Sequence, residues 1–315
     1  MWRYALRRLS FLPLIMFVVS VITFVLLRVL PGDPAAIMAG QGARPEDVER
    51  IREQLGLERP IVVQYLDWVA GILRGDFGQT YFGQRDILDE VVRRFPASAE
   101  IVLLSLAVSV VLGVTFGILS AVMRNSPLDY FVRLMAVFGQ SIPEFFLLVL
   151  LIVVPSILWN YAPPTGGYVA IYDDPVRNLR LFGPPALILG FGGAAGIMRL
   201  VRTTMLEVLR SDYVRTAWAK GLPARRVILD HAFRTTLTPI VTVVGAAFTA
   251  IFGGSVIAER IMSIDGLGQF FFQSVVTRDF PVVQFLVVYT ATVVVLANLL
   301  VDLSYAWLDP RVRYR

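Results

Sequence analysis

The chain has 315 residues, of which 56% are hydrophobic, with 29 basic against 24 acidic side chains and a formal net charge of +5. Its mean hydropathy is +0.67, and too little polar sequence separates its apolar runs to coat them in water, which excludes a single soluble helical core. There is no cysteine, hence no disulfide framework and no thiolate metal site, and His231 and Lys220 are the sole histidine and lysine.

Six runs are long enough to cross a hydrocarbon core of roughly 30 Å. They are Leu9–Leu27, Ile101–Met123, Leu134–Trp159, Leu181–Met198, Pro239–Ala258 and Val282–Val301, and Glu144 in the third is the one charged residue among them. The pattern predicts an all-α integral membrane protein with six transmembrane helices. Arg3, Arg7 and Arg8 before the first run could open a cleaved signal peptide. The run is 19 residues long and is followed by Pro31 and Pro34, so a retained signal-anchor is the better reading. Residues 1–30 are thus read as a cytoplasmic N-terminus and first span.

The segment 31–98 reads as a small folded insertion outside the membrane. Pro45–Leu57 carries mixed charge at helical period, and Ile61–Leu73 has Val62, Val63, Tyr65, Leu66, Val69 and Leu73 at amphipathic spacing. It is either a cap over the pore mouth or a platform for an external partner. Residues 99–308 form the five-helix core and 309–315 a short tail. In the third run, Glu144 sits beside Pro143 and one turn from Gln140 and Ser141. An ionised carboxylate there costs roughly 2.5–3.5 kcal/mol by insertion scales, so it faces the bundle interior or a cavity. Two roles stand open for it: a pore-lining or gating group, or a structural hydrogen bond at the proline kink or to a partner. Gly190, Gly192, Gly193 and Gly196 in the fourth run, and Gly253 and Gly254 in the fifth, permit close helix approach or flexing, with packing the default reading, and Asn298 and Asp302 read as helix–helix hydrogen-bonding positions.

The connecting segments assign sidedness. Short segments on the side of the two termini hold sixteen Lys and Arg, those opposite hold four, and the positive-inside rule puts both termini in the cytoplasm. The cytoplasmic segment 199–238 is far longer than an ordinary helix connection. Ser211 or Asp212 can cap a short helix running to Lys220, Gly221 can end it in a left-handed conformation, and Pro223 can open a second helix. The predicted arm exposes Tyr213, Val214, Ala217 and Trp218, a patch that needs a protein partner. No Gly-Lys-Ser/Thr phosphate loop is possible, since Lys220 is followed by Gly221 and Leu222. No metal cluster or Ser/His/Asp set is visible, and His231 reads as solvated or partner-facing.

Residues 207–241, EVLRSDYVRTAWAKGLPARRVILDHAFRTTLTPIV, resemble the cytoplasmic docking loop of type I ABC importer permeases. In the dipeptide/oligopeptide/nickel branch, first-permease type, that loop reads close to DYVRTARAKGL. Gly221 takes the motif glycine, while Arg215, Thr216 and Ala217 replace the general Glu-Ala-Ala triplet, a departure usual in this branch. LPGDP at Leu30–Pro34, GQSIPEFFL at Gly139–Leu147, DGLG at Asp265–Gly268 and DPRVRY at Asp309–Tyr314 extend the likeness in order over nearly the whole length.

The resemblance implies a type I ABC importer permease fold in a prokaryotic inner or plasma membrane. It also implies that Tyr213, Val214, Arg215, Thr216, Ala217, Trp218, Ala219, Lys220 and Gly221 form a coupling helix for an ATPase subunit. Its implied partners are a second homologous permease, two cytoplasmic ATPase subunits, an extracytoplasmic substrate-binding protein and membrane lipid, with no nucleic acid. ATP and magnesium would sit on the partner subunits, this chain holding no cofactor or metal and catalysing no reaction. Peptides are the commonest cargo of the branch, with nickel complexes, glutathione or oligosaccharides as alternatives. An ion-gradient-driven secondary transporter is the distant alternative, disfavoured by the lack of an internal repeat and by the long docking loop.

Overall fold

The structure is a computed structural model that describes residues 2–29, 32–40 and 42–308; the Leu30–Pro31 start of LPGDP and the DPRVRY tail lie outside the described residues. In chain order the helices are α1 Trp2–Val29, α2 Pro34–Ala39, α3 Pro45–Gln54, α4 Ile61–Leu73, α5 Ile87–Val122, α6 Pro127–Ser141, α7 Glu144–Trp159, α8 Pro175–Leu209, α9 Asp212–Ala219, α10 Ala224–Arg226, α11 Arg234–Met262, α12 Leu267–Thr277 and α13 Phe280–Leu308. A π-helical segment, Val227–Phe233, joins α10 to α11. Five of the described helices, counting α10–α11 as one, are long and apolar enough to span a membrane, and α6 with α7 makes a sixth if counted as one span. The third apolar run is therefore not one helix. It is two, meeting at 94°.

Local chemistry accounts for that break. Pro143 restricts the residue before it, and Ile142 lies in extended backbone at φ −93°, ψ 122°. Lacking an N–H, Pro143 cannot continue the ladder of α6 and stands instead as the N-cap of α7. At its other end, α6 starts where Ser126 accepts from the Asp129 N–H, with Pro127 in the first turn.

The chain divides into two compact units. The first comprises 97–264 and the residues from 297 on. Helix α8 runs through it against α5, α6, α7 and α11 at very short range. A Cβ on Gly113 of α5 would lie 2.5 Å from Cβ of Ile197, and one on Gly190 of α8 would lie 2.6 Å from Cβ of Val108. Ser109 Oγ donates across the same crossing to the Gly190 carbonyl at 2.7 Å. Small residues and hydroxyl bonds of this kind hold helices together where surrounding lipid is as apolar as the side chains. Ser98 donates to Glu259 at 2.7 Å in the buried interior near the end of α11.

Asp129 is the strongest polar anchor of this unit. Its side chain is fully buried and accepts two bonds from Arg202 of α8, Nε at 2.8 Å and Nη2 at 2.9 Å. Ser120 Oγ donates to it at 2.6 Å and the Asn125 N–H at 3.0 Å. One carboxylate thereby ties the end of α5, the start of α6 and the last turns of α8.

The second unit comprises 2–96 and 265–296. In it α4 turns Tyr65 and Trp68 onto Phe24 of α1, and Ser20 and Tyr65 share a hydrogen bond of 2.8 Å. Ile61, Val62, Leu66 and Leu73 of α4 remain exposed. Arg93 and Arg94, in the first turns of α5, donate to Asp265 of the DGLG run at 2.8 and 2.9 Å, and Arg94 also pairs with Glu90 and covers the Phe270 ring at 4.2 Å. Asp279 accepts from the Tyr81 N–H at 3.0 Å, and burial pushes its carboxyl above its ordinary value despite that donor.

Removing Asp129 strands a half-buried guanidinium, so Asp129→Ala is expected to cost about 3–5 kcal/mol. Thermal unfolding of the detergent-solubilised chain checks this. The Asp129→Ala/Arg202→Ala pair should lose clearly less than the two single losses combined.

Candidate functional site

Two places combine exposed or strained backbone with polar side chains: the α9 arm and the α6–α7 break. The arm begins with Ser211 as N-cap, although its hydroxyl donates back to the Val208 carbonyl at 2.6 Å rather than capping α9. It ends in a Schellman arrangement. The Gly221 N–H reaches the Trp218 carbonyl at 2.9 Å and the Leu222 N–H the Ala217 carbonyl at 3.4 Å. Gly221 stands at φ +71° with open space around it, so its backbone angle and not crowding demands glycine. Pro223 serves as the N-cap of α10.

The arm's faces differ from the sequence expectation in one respect. Val214 is 0% and Ala217 6% exposed, packed with Val227, Val208, Leu209 and Leu222. Their expected exposure is therefore corrected: at i and i+3 they form the stripe that seats α9 on the chain itself. The outward face belongs to Tyr213 and Trp218, each 46% exposed, together with Arg215, Thr216, Ala219 and Lys220. Tyr213 is aimed by a bond from its hydroxyl to Thr235 at 3.1 Å, and the exposed Arg225 and Arg226 add positive charge beside the helix, with His231 also exposed.

At the break, Glu144 is the first residue of α7, where the helix dipole favours a carboxylate by about 0.3–1 kcal/mol. It lies at a discontinuity, not along an unbroken span. Its oxygens occupy space that two glycines leave open: a Cβ on Gly192 of α8 would lie 2.4 Å from Oε1, and one on Gly254 of α11 would lie 2.8 Å from Oε2. One turn along α8, a Cβ on Gly196 would lie 3.8 Å from the Gln140 amide nitrogen. Gln140, Ser141 and Pro143 are exposed and Glu144 half-buried. The glycine-rich run of α8 thus serves two faces, with Gly190 and Gly193 against α5 and Gly192 and Gly196 toward the break. Close packing alone, the default sequence reading of these glycines, accounts for the first face only.

A separate cavity of about 630 Å³ is lined by the connection after α7 and the first turns of α8, among others by Tyr161, Tyr168, Asp174, Arg177 and Arg180. None of the break residues contributes to it. Asp129, Arg202 and Glu259 carry much of the buried polar structure and were not singled out by sequence. The signal available was charge flanking an apolar run, which does not distinguish a buried pair from a solvated one.

Apolar spans, one of them broken, and a helical arm outside the apolar runs are the parts of a multi-pass membrane protein. Residues 113–314 match the family of binding-protein-dependent transport system inner membrane components, and residues 1–107 match the N-terminal family of such membrane components. The chain belongs to this family, and it is a permease subunit of the ABC importer class. A Brucella abortus (strain 2308) protein named as a permease of a peptide transport system is 38% identical over 98% of both chains. The dipeptide transport system permease protein DppB of Escherichia coli (strain K12) is 35% identical over the full length of both. The glutathione transport system permease protein GsiC of Escherichia coli O1:K1 / APEC is 36% identical, again over both full lengths. Among solved structures, an inward-facing MetNI methionine ABC transporter shares the fold, with a TM-score of 0.53 and 19% identity over 70% of this chain and 97% of that one.

A methyl group at position 192 meets only the movable end of Glu144, whereas one at position 113 meets the fixed β-carbon of Ile197. Gly113→Ala is expected to cost about 1–3 kcal/mol in thermal unfolding. Gly192→Ala should leave stability nearly unchanged and push the Glu144 carboxylate outward. Labelling by a hydrophobic carbodiimide, read by mass spectrometry at Glu144, should then rise.

Proposed function

We propose that this permease carries short peptides inward, forming the path with a second, homologous permease, and that α9 is the lever by which two cytoplasmic ATPase subunits drive it. The observation that carries the reading is the α9 arm. A short helix is fixed to its own chain by Val214 and Ala217, closed by a left-handed glycine and presents Tyr213, Trp218, Arg215 and Lys220 outward. An exposed aromatic and basic face held this firmly suits a protein groove. ATP and magnesium act on the partner subunits, and this chain holds no cofactor and hydrolyses nothing.

The charge balance of short segments supports both termini, and α9 with them, in the cytoplasm. On that assignment 31–98, with α2 to α4, is an extracytoplasmic insertion, and the exposed apolar residues of α4 suit it to an external substrate-binding protein. Peptide cargo is supported by the relatives: their names speak of peptides, of dipeptides and of glutathione, itself a peptide. Such cargo has a cationic amino end, and Glu144 at the break is the anionic group of the membrane interior suited to meet it. Gln140, Ser141 and Pro143 line the path beside it.

Opening and closing then amount to two arrangements of a helical bundle, with ATP-driven closure of the ATPase pair favouring one of them. The force enters at α9 and passes directly into α8.

Co-purification tests the lever. ATPase subunits expressed with the wild type should be retained, and Tyr213→Ala/Trp218→Ala should release most of them while the permease remains folded. Gly221→Asn should retain more than Gly221→Val, because Asn tolerates φ > 0 and a β-branched side chain does not. Retention by all these variants alike would remove α9 from the interface. Glu144→Gln should lower uptake of a peptide with a free amino end at least several-fold more than that of its N-acetylated form, with assembly intact. Equal uptake losses would show that Glu144 does not meet the amino end.

A further inference from the structure

A groove of about 170 Å³ runs between α6 and α8. Its apolar wall includes Val132, Ala136 and Met198, and three guanidiniums border it, from Arg133, Arg199 and Arg202. The level of these charges is fixed by the sequence. Arg133 immediately precedes the apolar run that starts at Leu134, and Arg199 immediately follows the run that ends at Met198. Both therefore stand where hydrocarbon gives way to headgroups, and the apolar wall extends from them into the hydrocarbon.

The charges are unequally employed. Arg202 is held by the buried Asp129 carboxylate through two bonds. Arg133 approaches the same carboxylate only at 3.6 Å, keeps 44% of its side chain exposed and lies over the Tyr130 ring at 4.4 Å. Among the described residues no carboxylate pairs with Arg199, which is exposed. Three cations against one anion leave an excess of two positive charges at the rim. Two exposed cations at headgroup level beside an apolar furrow suit an anion that carries an apolar tail.

We infer that the α6–α8 groove is a binding site for an anionic glycerophospholipid. The phosphodiester sits between Arg133 and Arg199, and an acyl chain lies along Val132, Ala136 and Met198. Basic pockets between spanning helices take acidic headgroups by the same electrostatics. A zwitterionic lipid brings an ammonium group to the same two arginines and is disfavoured. Free phosphate offers nothing to the apolar wall. Because Arg202 borders the groove and ties α8 to α6 through the buried Asp129, the bound lipid braces the two helices against each other.

The full-length chain, purified in a mild detergent and again with whatever subunits accompany it, is titrated with phosphatidylglycerol, phosphatidylcholine and inorganic phosphate while its thermal midpoint is followed. Phosphatidylglycerol should raise the midpoint of both preparations, and the other two should raise it little. Arg133→Gln/Arg199→Gln should unfold at the wild-type midpoint without lipid and lose about thirtyfold in apparent affinity for phosphatidylglycerol. The charge-keeping Arg133→Lys/Arg199→Lys pair should retain most of it, which separates lost charge from lost fold. Equal response to phosphatidylcholine, an equal response of the Gln pair, or a response to phosphate alone overturns the lipid site. Lipid stabilisation of the isolated chain that vanishes in the assembled preparation does so too, since the groove would then be a subunit contact.

Discussion

Lipid offers helices no hydrophobic reward for associating, so this bundle depends on how closely its helices can approach. Helix α8 supplies the surface for that approach. Where α5 crosses it, Gly113 and Gly190 leave the β-carbons of Ile197 and Val108 just enough room, and Ser109 reaches a backbone carbonyl that larger residues would screen. The gain is dispersion contact and hydrogen bonding at short range, each term small and all dependent on the missing side chains. At roughly 1.5 Å per residue, the 35 residues of α8 make a rod of about 50 Å, long enough to serve both the interior and the arm.

The same rod explains why a break elsewhere is tolerated. Splitting a span frees backbone groups and exposes a carboxylate, both costly in hydrocarbon unless they face protein or a cavity. Glu144 meets that condition at the positive end of α7 and in the space left by Gly192 and Gly254. Four residues further along α8, Gly196 faces Gln140, where a Cβ would make only ordinary contact at 3.8 Å. A single helix therefore both fastens the bundle on one face and yields room for polar groups on another.

The lower part of α8 carries the remaining connections. Arg202 binds Asp129 and with it the start of α6, and α8 ends at Leu209, just before α9. A displacement of α9 reaches α6 through one rigid helix and one bidentate ion pair, without crossing a flexible linker. On the far side of α9, the π-helical turn Val227–Phe233 joins it to α11. One extra residue per turn there gives a local point at which the helix ladder can re-form. The two exits from the arm thus differ, a two-residue turn at Arg210 and Ser211 into α8 and a π-helical segment before α11.

Much of this was legible in the residues. The spans, the short α9 helix, the left-handed turn at Gly221 and the family likeness follow from local properties: apolar length, cap chemistry and a glycine before Leu-Pro. The Pro143 disruption was legible as a kink. Its size was not, because 94° depends on what α7 finds to pack against once its ladder is interrupted. Likewise the alternation in α9 did not reveal that Val214 and Ala217 face inward, since their partner Val227 is supplied by a segment that folds back after the turn. The long apolar runs by themselves determined that the chain lives in a bilayer. Only tertiary structure decided that Asp129 is a buried anchor, that Gly192 and Gly254 accommodate Glu144, and that three arginines gather at one groove, because proximity between distant helices is not encoded in the spacing of either one.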